Sequence, residues 1–197
     1  MTKSERTRQF IVEKTAPVFN KYGFDGASLA VLEEATGLTK GSLYGNFSGK
    51  EDIAREAFRY SMKRVREVGQ SLIARNASSK GKLLRLLSFF SDYVFNPPID
   101  GGCPLLNTAV QADDHHTFFR DVVTEEIGKT ITYIAMLIDE GKQRGEFVKN
   151  ARSKELATVF FSLIEGALMI SRVSSSDVAM KHAVKHCKSI LDTITIK

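Results

Sequence analysis

Prolines stand only at positions 17, 97, 98 and 104 of the 197 residues. A proline inside a helix removes a donor and clashes with the carbonyl four residues back, so residues 18–96 and 105–197 hold long stretches without a strong breaker. Apolar residues recur there at helical spacing, and the alternation of a half-buried strand is scarce. The pattern predicts an all-α fold of about nine helices. The first runs over 4–22, with Ile11, Val18, Phe19 and Tyr22 on one side and Gly23 as its stop. Pro17 is expected to kink it. Two short helices follow over 28–36 and 40–47, with Ser28 as an N-cap and Gly37 ending the first of them. Ser48-Gly49-Lys50-Glu51 reads as a capping box opening a fourth helix that runs to about Arg75. Five more cover 79–95, 102–112, 117–144, 153–173 and 176–195.

Composition narrows the class. With 43% hydrophobic and 26% charged residues, the chain has too much apolar material for disorder and too much charge for a membrane protein. Apolar runs such as 134–138 are shorter than the roughly 20 residues that cross a bilayer. The first eight residues are polar with no apolar stretch behind them, so no secretory signal is expected. Two cysteines, Cys103 and Cys187, exclude a disulfide scaffold and suit a reducing compartment. A cytoplasmic protein without a membrane partner is expected. The net charge of +5 is unevenly placed: residues 55–85 carry nine Lys and Arg against two Glu, and the flanking stretches are balanced or acidic. Such a block suits a polyanionic partner, although a solvated helix face gives the same count.

Residues 28–47 carry the most information. Two short helices flank Thr36-Gly37-Leu38-Thr39, a turn of helix-turn-helix length. Leu29, Leu32, Ala35, Leu38, Leu43 and Phe47 can close a small core with Phe10, Phe19 and Phe24. That leaves Thr39, Lys40, Gly41, Ser42, Tyr44 and Asn46 outward at the start and outer face of the second short helix. Small and polar residues there allow close approach to a duplex groove. An ordinary three-helix cluster is the competing reading.

At this point the sequence resembles the tetracycline-repressor (TetR) family of transcriptional regulators. Thr39-Lys40-Gly41-Ser42-Leu43-Tyr44-Gly45-Asn46-Phe47 with Lys50-Glu51-Asp52 is similar to its recognition helix and the start of its fourth helix. Tyr22-Gly23-Phe24 and Ser28–Gly37 are similar to its upstream half, so the resemblance covers about residues 5–65. It implies an N-terminal helix-turn-helix DNA-binding domain over 1–50 and a C-terminal effector-binding and dimerisation domain over 51–197. It further implies a homodimeric repressor on a palindromic operator in double-stranded DNA, released by an apolar or amphipathic small molecule. Ser28, Tyr44 and Lys50 would touch phosphate, Lys40 a base or phosphate, Gly41 and Ser42 the groove. Thr39 would stand at the helix entrance and Asn46 where members carry His or Asn. Gly45 and Pro17 depart from the pattern.

The C-terminal helices suggest pairing on their own. Leu156, Phe160, Leu163, Ala167 and Ile170 form one apolar row over 153–173, with Phe161, Ile164 and Leu168 beside it. A helix apolar on two sides must bury both. Ala183, Cys187, Ile190 and Ile194 form a comparable row over 176–195, and the two rows are expected to build a four-helix dimer interface. Phe89, Phe90, Tyr93, Phe118, Phe119, Tyr133 and Met136 read as plain core; the family resemblance makes them candidates for a ligand cavity. His182 and His186 stand four apart without further ligands, so no metal and no cofactor is expected. No Ser/His/Asp order, phosphate loop or HExxH motif is present, and no enzymatic activity is expected. The rival readings are a regulator controlled through the Cys103 thiol, and a helical-bundle carrier or enzyme in which 28–47 is only structural.

Overall fold

The computed structural model describes residues 2–74, 76 and 78–196. Its helices are α1 (Lys3–Gly26), α2 (Leu29–Thr36), α3 (Lys40–Asn46), α4 (Lys50–Ile73), α5 (Ser79–Tyr93), α6 (Pro104–Ala112), α7 (Arg120–Gln143), α8 (Ser153–Val173) and α9 (Val178–Ile194). A 3-10 turn, Thr117–Phe119, precedes α7. The one extended pairing among the described residues is an isolated bridge between Phe147 and Thr195. The fold is all-α, and the nine helices among the described residues follow the periodicity closely. The expected end of the fourth helix near Arg75 lies outside the described residues.

Packing divides the chain into two units. The first joins the residues up to Val65 with Pro97–Glu126; the second joins Arg66–Asn96 with the residues from Ile127 onward. These units differ from a cut at residue 50.

In the first unit, Thr2 caps α1: its hydroxyl accepts from the Glu5 amide at 3.2 Å, and the Glu5 carboxylate accepts from the Thr2 amide at 2.7 Å. The kink expected at Pro17 is absent from the local backbone angles, and the break falls at Gly23, with φ of 70°. Pro17 has no N–H to donate to the carbonyl of Glu13, four residues back, and Glu13 is exposed. Tyr22 and Phe10 are exposed at 52% and 39% rather than joining the core.

Asn20 ties α1 to the loop before α6. Its amide donates to the carbonyls of Asp100 and Gly102, and the Asn107 amide donates to both Asn20 oxygens and to the Gly101 carbonyl. Gly101 has φ of 101°, and a Cβ there would stand 2.8 Å from the Asn20 backbone, so only glycine fits. Phe24 donates its amide to Gln111 Oε1 at 2.7 Å and stacks edge-on against Phe118 and Phe119. Phe58 joins them through Phe119. The α4 entrance differs from the expected capping box: Asp52, rather than Glu51, accepts from the Ser48 amide at 3.1 Å.

The second unit is built on α9, which packs against α8 and α5. Leu168, Met180, Cys187 and Leu191 are fully buried in it, as is Phe147. A Cβ on Gly141 would strike the Phe147 ring at 2.2 Å. Glu146 caps α5 by accepting from the Ser79 and Lys80 amides at 3.1 and 3.0 Å.

Candidate nucleic-acid interface

The helix-turn-helix is assembled by local chemistry. Ser28 caps α2, its hydroxyl accepting from the Val31 amide. Thr36 donates to the Leu32 carbonyl at 2.7 Å and accepts from the Leu38 amide at 3.2 Å. Gly37 then turns the chain with φ of 67°, a left-handed angle that glycine adopts without strain. Thr39 caps α3 by accepting from the Ser42 amide at 3.4 Å. Leu32, Leu43 and Phe47 are buried at 0%, 0% and 4% exposure with Ile11. These anchors turn the rest of α3 outward: Thr39, Lys40, Gly41 and Gly45 are exposed, while Ser42, Tyr44 and Asn46 are half-buried at its edge.

Two charged side chains not singled out from the sequence hold the ends of α3. Glu33 of α2 accepts from the Lys40 amide at 2.5 Å. Arg8 of α1 donates to the Asn46 carbonyl, and its guanidinium lies 4.0 Å from the Phe47 ring centroid. The Asn46 amide donates to the Ser42 carbonyl at 2.9 Å, which uses one of its donors inside the helix. Ser28 is exposed. The Lys50 ammonium rests 4.3 Å from the Phe24 ring centroid. Burial pushes its pKa down from the ordinary lysine value, and the Asp25 carboxylate pulls it partly back.

Three cations of the basic block are held in ion pairs. Arg59 pairs with Glu56 at 2.6 Å, Lys80 with Asp192 at 2.8 Å and Lys82 with Glu140 at 2.9 Å. Lys80 and Lys82 are thus engaged by carboxylates of the second unit.

The expected dimer rows need correction. Phe160, Ala167, Ala183, Cys187 and Ile194 are buried inside the protomer at 3%, 7%, 9%, 0% and 9% exposure. They face their own core because Ala157, Phe160, Ile164, Ala167 and Leu168 make one continuous buried stripe on α8. Leu156, Leu163 and Ile190 are half-buried, and only Ile170 of the two rows is exposed. The open apolar face of α8 consists of Val159, Met169, Ile170 and Val173, with Val178 at the start of α9. α8 is long and apolar enough by length and composition to cross a bilayer; its surplus lies in this second stripe.

The aromatic set also needs correction. Phe118 and Phe119 belong to the Phe24 cluster of the first unit, and Met136 is 46% exposed. Phe89 and Tyr93 are buried against Phe90 and each other. Tyr133 is half-buried, and burial with the Glu140 charge raises its hydroxyl pKa. The apolar cavity of the second unit is lined by Leu83, Leu86, Leu87, Phe90, Ile134 and Ile164 among others, and of the expected residues it uses only Phe90. Thr130 and Glu165 are its polar lining, and its volume is about 20 Å³, room for a single water. Cys103 is buried at the N-cap of α6, its sulfur accepting from the Leu106 amide at 3.5 Å. Burial pushes the Cys187 thiol up to about 11.

A short helix anchored on its inner side by Leu43 and Phe47, with lysine, glycine and hydroxyl groups outside, defines a helix-turn-helix protein. Residues 11–57 match the family described as bacterial regulatory proteins, tetR family, and residues 79–187 match the tetracyclin repressor-like C-terminal domain. A solved TetR-family transcriptional regulator from Cytophaga hutchinsonii is 36% identical, with a TM-score of 0.92 over 100% of this chain and 98% of that one. The HTH-type transcriptional repressor AcnR of Corynebacterium glutamicum is 35% identical over 66 residues, which are 34% of this chain and 35% of AcnR. A cysteine mutant of the TetR-family regulator CifR, solved with 26-bp operator DNA, is 21% identical with a TM-score of 0.80 over 94% of this chain and 95% of its own. The chain belongs to the TetR family, and it is a DNA-binding transcriptional regulator.

Proposed function

We propose that the protein is a homodimeric repressor that reads a palindromic operator through α3 and leaves it when a small apolar or amphipathic molecule binds the second unit. In this reading the N-terminal 50 residues bind DNA, and the remainder carries the effector site and the dimer face. The observation that carries it is the outer surface of α3. Thr39, Lys40 and Gly41 are exposed at its entrance, with Ser42, Tyr44 and Asn46 beside them. A helix N-terminus with small side chains lets the backbone approach the major groove, as in helix-turn-helix docking. Lys40 is the one cation on α3, so most affinity comes from phosphate contacts. Ser28, Tyr44 and Lys50 supply these, Lys50 by swinging its ammonium off the Phe24 ring. The names of AcnR as a repressor and of CifR as bound to operator DNA support the same assignment.

One helix-turn-helix reads only a few base pairs, and two-fold pairing doubles the site. The open stripe of Val159, Met169, Ile170 and Val173 on α8 is the face we assign to it. A cavity of about 20 Å³ is far below the 300 Å³ or more typical of ligand sites. An effector therefore selects a conformation in which the cavity has opened, and shifts the population away from the DNA-bound one. Cys103 is buried and serves as a cap, which gives the thiol-controlled reading no support.

The test is duplex binding measured against salt for the wild type, Lys40→Ala and Tyr44→Phe. Each phosphate neutralised contributes a slope of about −0.9 in log K against log salt. Steep salt dependence, weakened in both variants with folding intact, is expected. A flat salt response, or variants binding as the wild type does, overturns the reading.

A further inference from the structure

α3 is too weak a helix to hold its own shape. It has seven residues, and two of them are glycine. Glycine is the poorest helix former after proline, and an isolated helix of this length does not persist in water. Its inner face is fixed by Leu43 and Phe47, yet anchoring one face leaves the ends free to fray. At the N-terminal end, the Thr39 cap is supplemented by Glu33, whose carboxylate accepts from the Lys40 amide. The C-terminal end has no basic residue of its own in its last turn. Arg8, from α1, takes that place: it donates to the last carbonyl of the helix, at Asn46, and stacks on the buried Phe47 ring. A cation at the C-terminus and a carboxylate at the N-terminus both complement the helix dipole.

We propose that Arg8 is a positioning residue for DNA recognition. It clamps the C-terminal end of α3 and thereby sets the pose of Lys40, Ser42 and Tyr44 without touching DNA itself. Its guanidinium is half-buried and engaged with Asn46 and Phe47, so its charge serves the helix end. The assignment rests on the reading of α3 as the helix that enters the groove.

The experiment compares wild type, Arg8→Ala and Arg8→Lys in binding a duplex selected by the wild type from a random pool, and a scrambled duplex, across a salt series. Active-fraction titration ensures that only folded protein is counted. For Arg8→Ala, affinity for the selected duplex is expected to fall about tenfold, the ratio that losing one charged hydrogen bond carries. Binding to the scrambled duplex and the salt slope stay unchanged. Arg8→Lys keeps the charge and a donor, and recovers part of the loss; if the alanine variant does not fold, the lysine variant carries the test with a smaller drop at the same slope. A slope reduced by about 0.9 makes Arg8 a phosphate ligand and overturns the assignment. Equal affinities for all three proteins overturn it too. A wild type that selects no duplex removes the groove reading of α3 itself, an outcome distinct from either.

Discussion

Ile170→Ala on α8 tests the open apolar face as the dimer face. Ile170 also stands in one of the rows that the sequence favours, so the comparison with Cys187→Ala, from the buried part of those rows, separates the two assignments. Ile170 is 52% exposed in the protomer, so about half of its side chain is left for a partner to cover. The substitution removes three carbons, worth roughly 0.8 kcal/mol each when fully buried, or about 2.4 kcal/mol in all. Half of that, about 1.2 kcal/mol, belongs to the partner surface under the same coefficient. A two-fold interface uses the position twice, so the dimer loses about 2.4 kcal/mol. That raises the dimer dissociation constant by about 50-fold. Protomer stability falls by only about 1 kcal/mol from the half already covered. Cys187→Ala is the control: Cys187 is fully buried inside the protomer, so it lowers stability and leaves the dissociation constant in place. Sedimentation velocity over a concentration series reads the constant, and denaturant titration of the monomeric limit reads stability. An unchanged constant for Ile170→Ala, or a large shift for Cys187→Ala, refutes the reasoning.

Three further outcomes follow from local geometry. Gly45 lies inside α3 with open space around its absent Cβ, so Gly45→Ala should raise stability by about 0.5–1 kcal/mol, read by thermal or denaturant unfolding; a loss of stability contradicts this. With its thiol held near 11 and no exposure, Cys187 should resist a disulfide reagent at pH 8 until the protein unfolds, and labelling of the native chain at a free-thiol rate contradicts it. Hydrogen bonds from Ser153 and Lys142 hold the Asp139 carboxyl below its usual value. This depressed pKa contributes stability above the ordinary carboxylate range, which is lost as pH falls through the folded value. Ser153→Ala should move the Asp139 titration upward in a carbon-detected NMR experiment and narrow the wild-type advantage under acid. No movement of that titration sinks the attribution.

The helix-turn-helix was legible because its determinants are local. Ser28 and Thr39 cap the helices they precede, Gly37 supplies the left-handed turn, and Leu32, Leu43 and Phe47 fall on one side at helical spacing. Nothing beyond neighbouring residues is needed to place them. That α8 is apolar on two sides was visible, yet the rows were drawn on the wrong residues. Phe160 and Ala167 of one row and Ile164 and Leu168 of the other share a single buried stripe, and Val159, Met169 and Val173 stood in neither row. The side that faces the core is chosen by α9, which sent Phe160 and Ala167 inward and left Val159, Met169 and Val173 outside. The aromatic residues misled for a similar reason. Phe118 and Phe119 look like pocket material in a linear reading, but Gly23 ends the helical part of α1 and brings Phe24 onto them. Arg8 and Glu33 were passed over because their partners are backbone atoms of α3, and a backbone carbonyl or amide leaves no mark in side-chain patterns.

Selection from a random duplex pool by the purified protein tests the central claim, that paired copies of α3 read a groove. Two inverted half-sites whose centres lie one helical turn apart, about 34 Å, or a multiple of it, are the expected result. Enrichment of an unpaired or directly repeated site, or no enrichment at all, contradicts it.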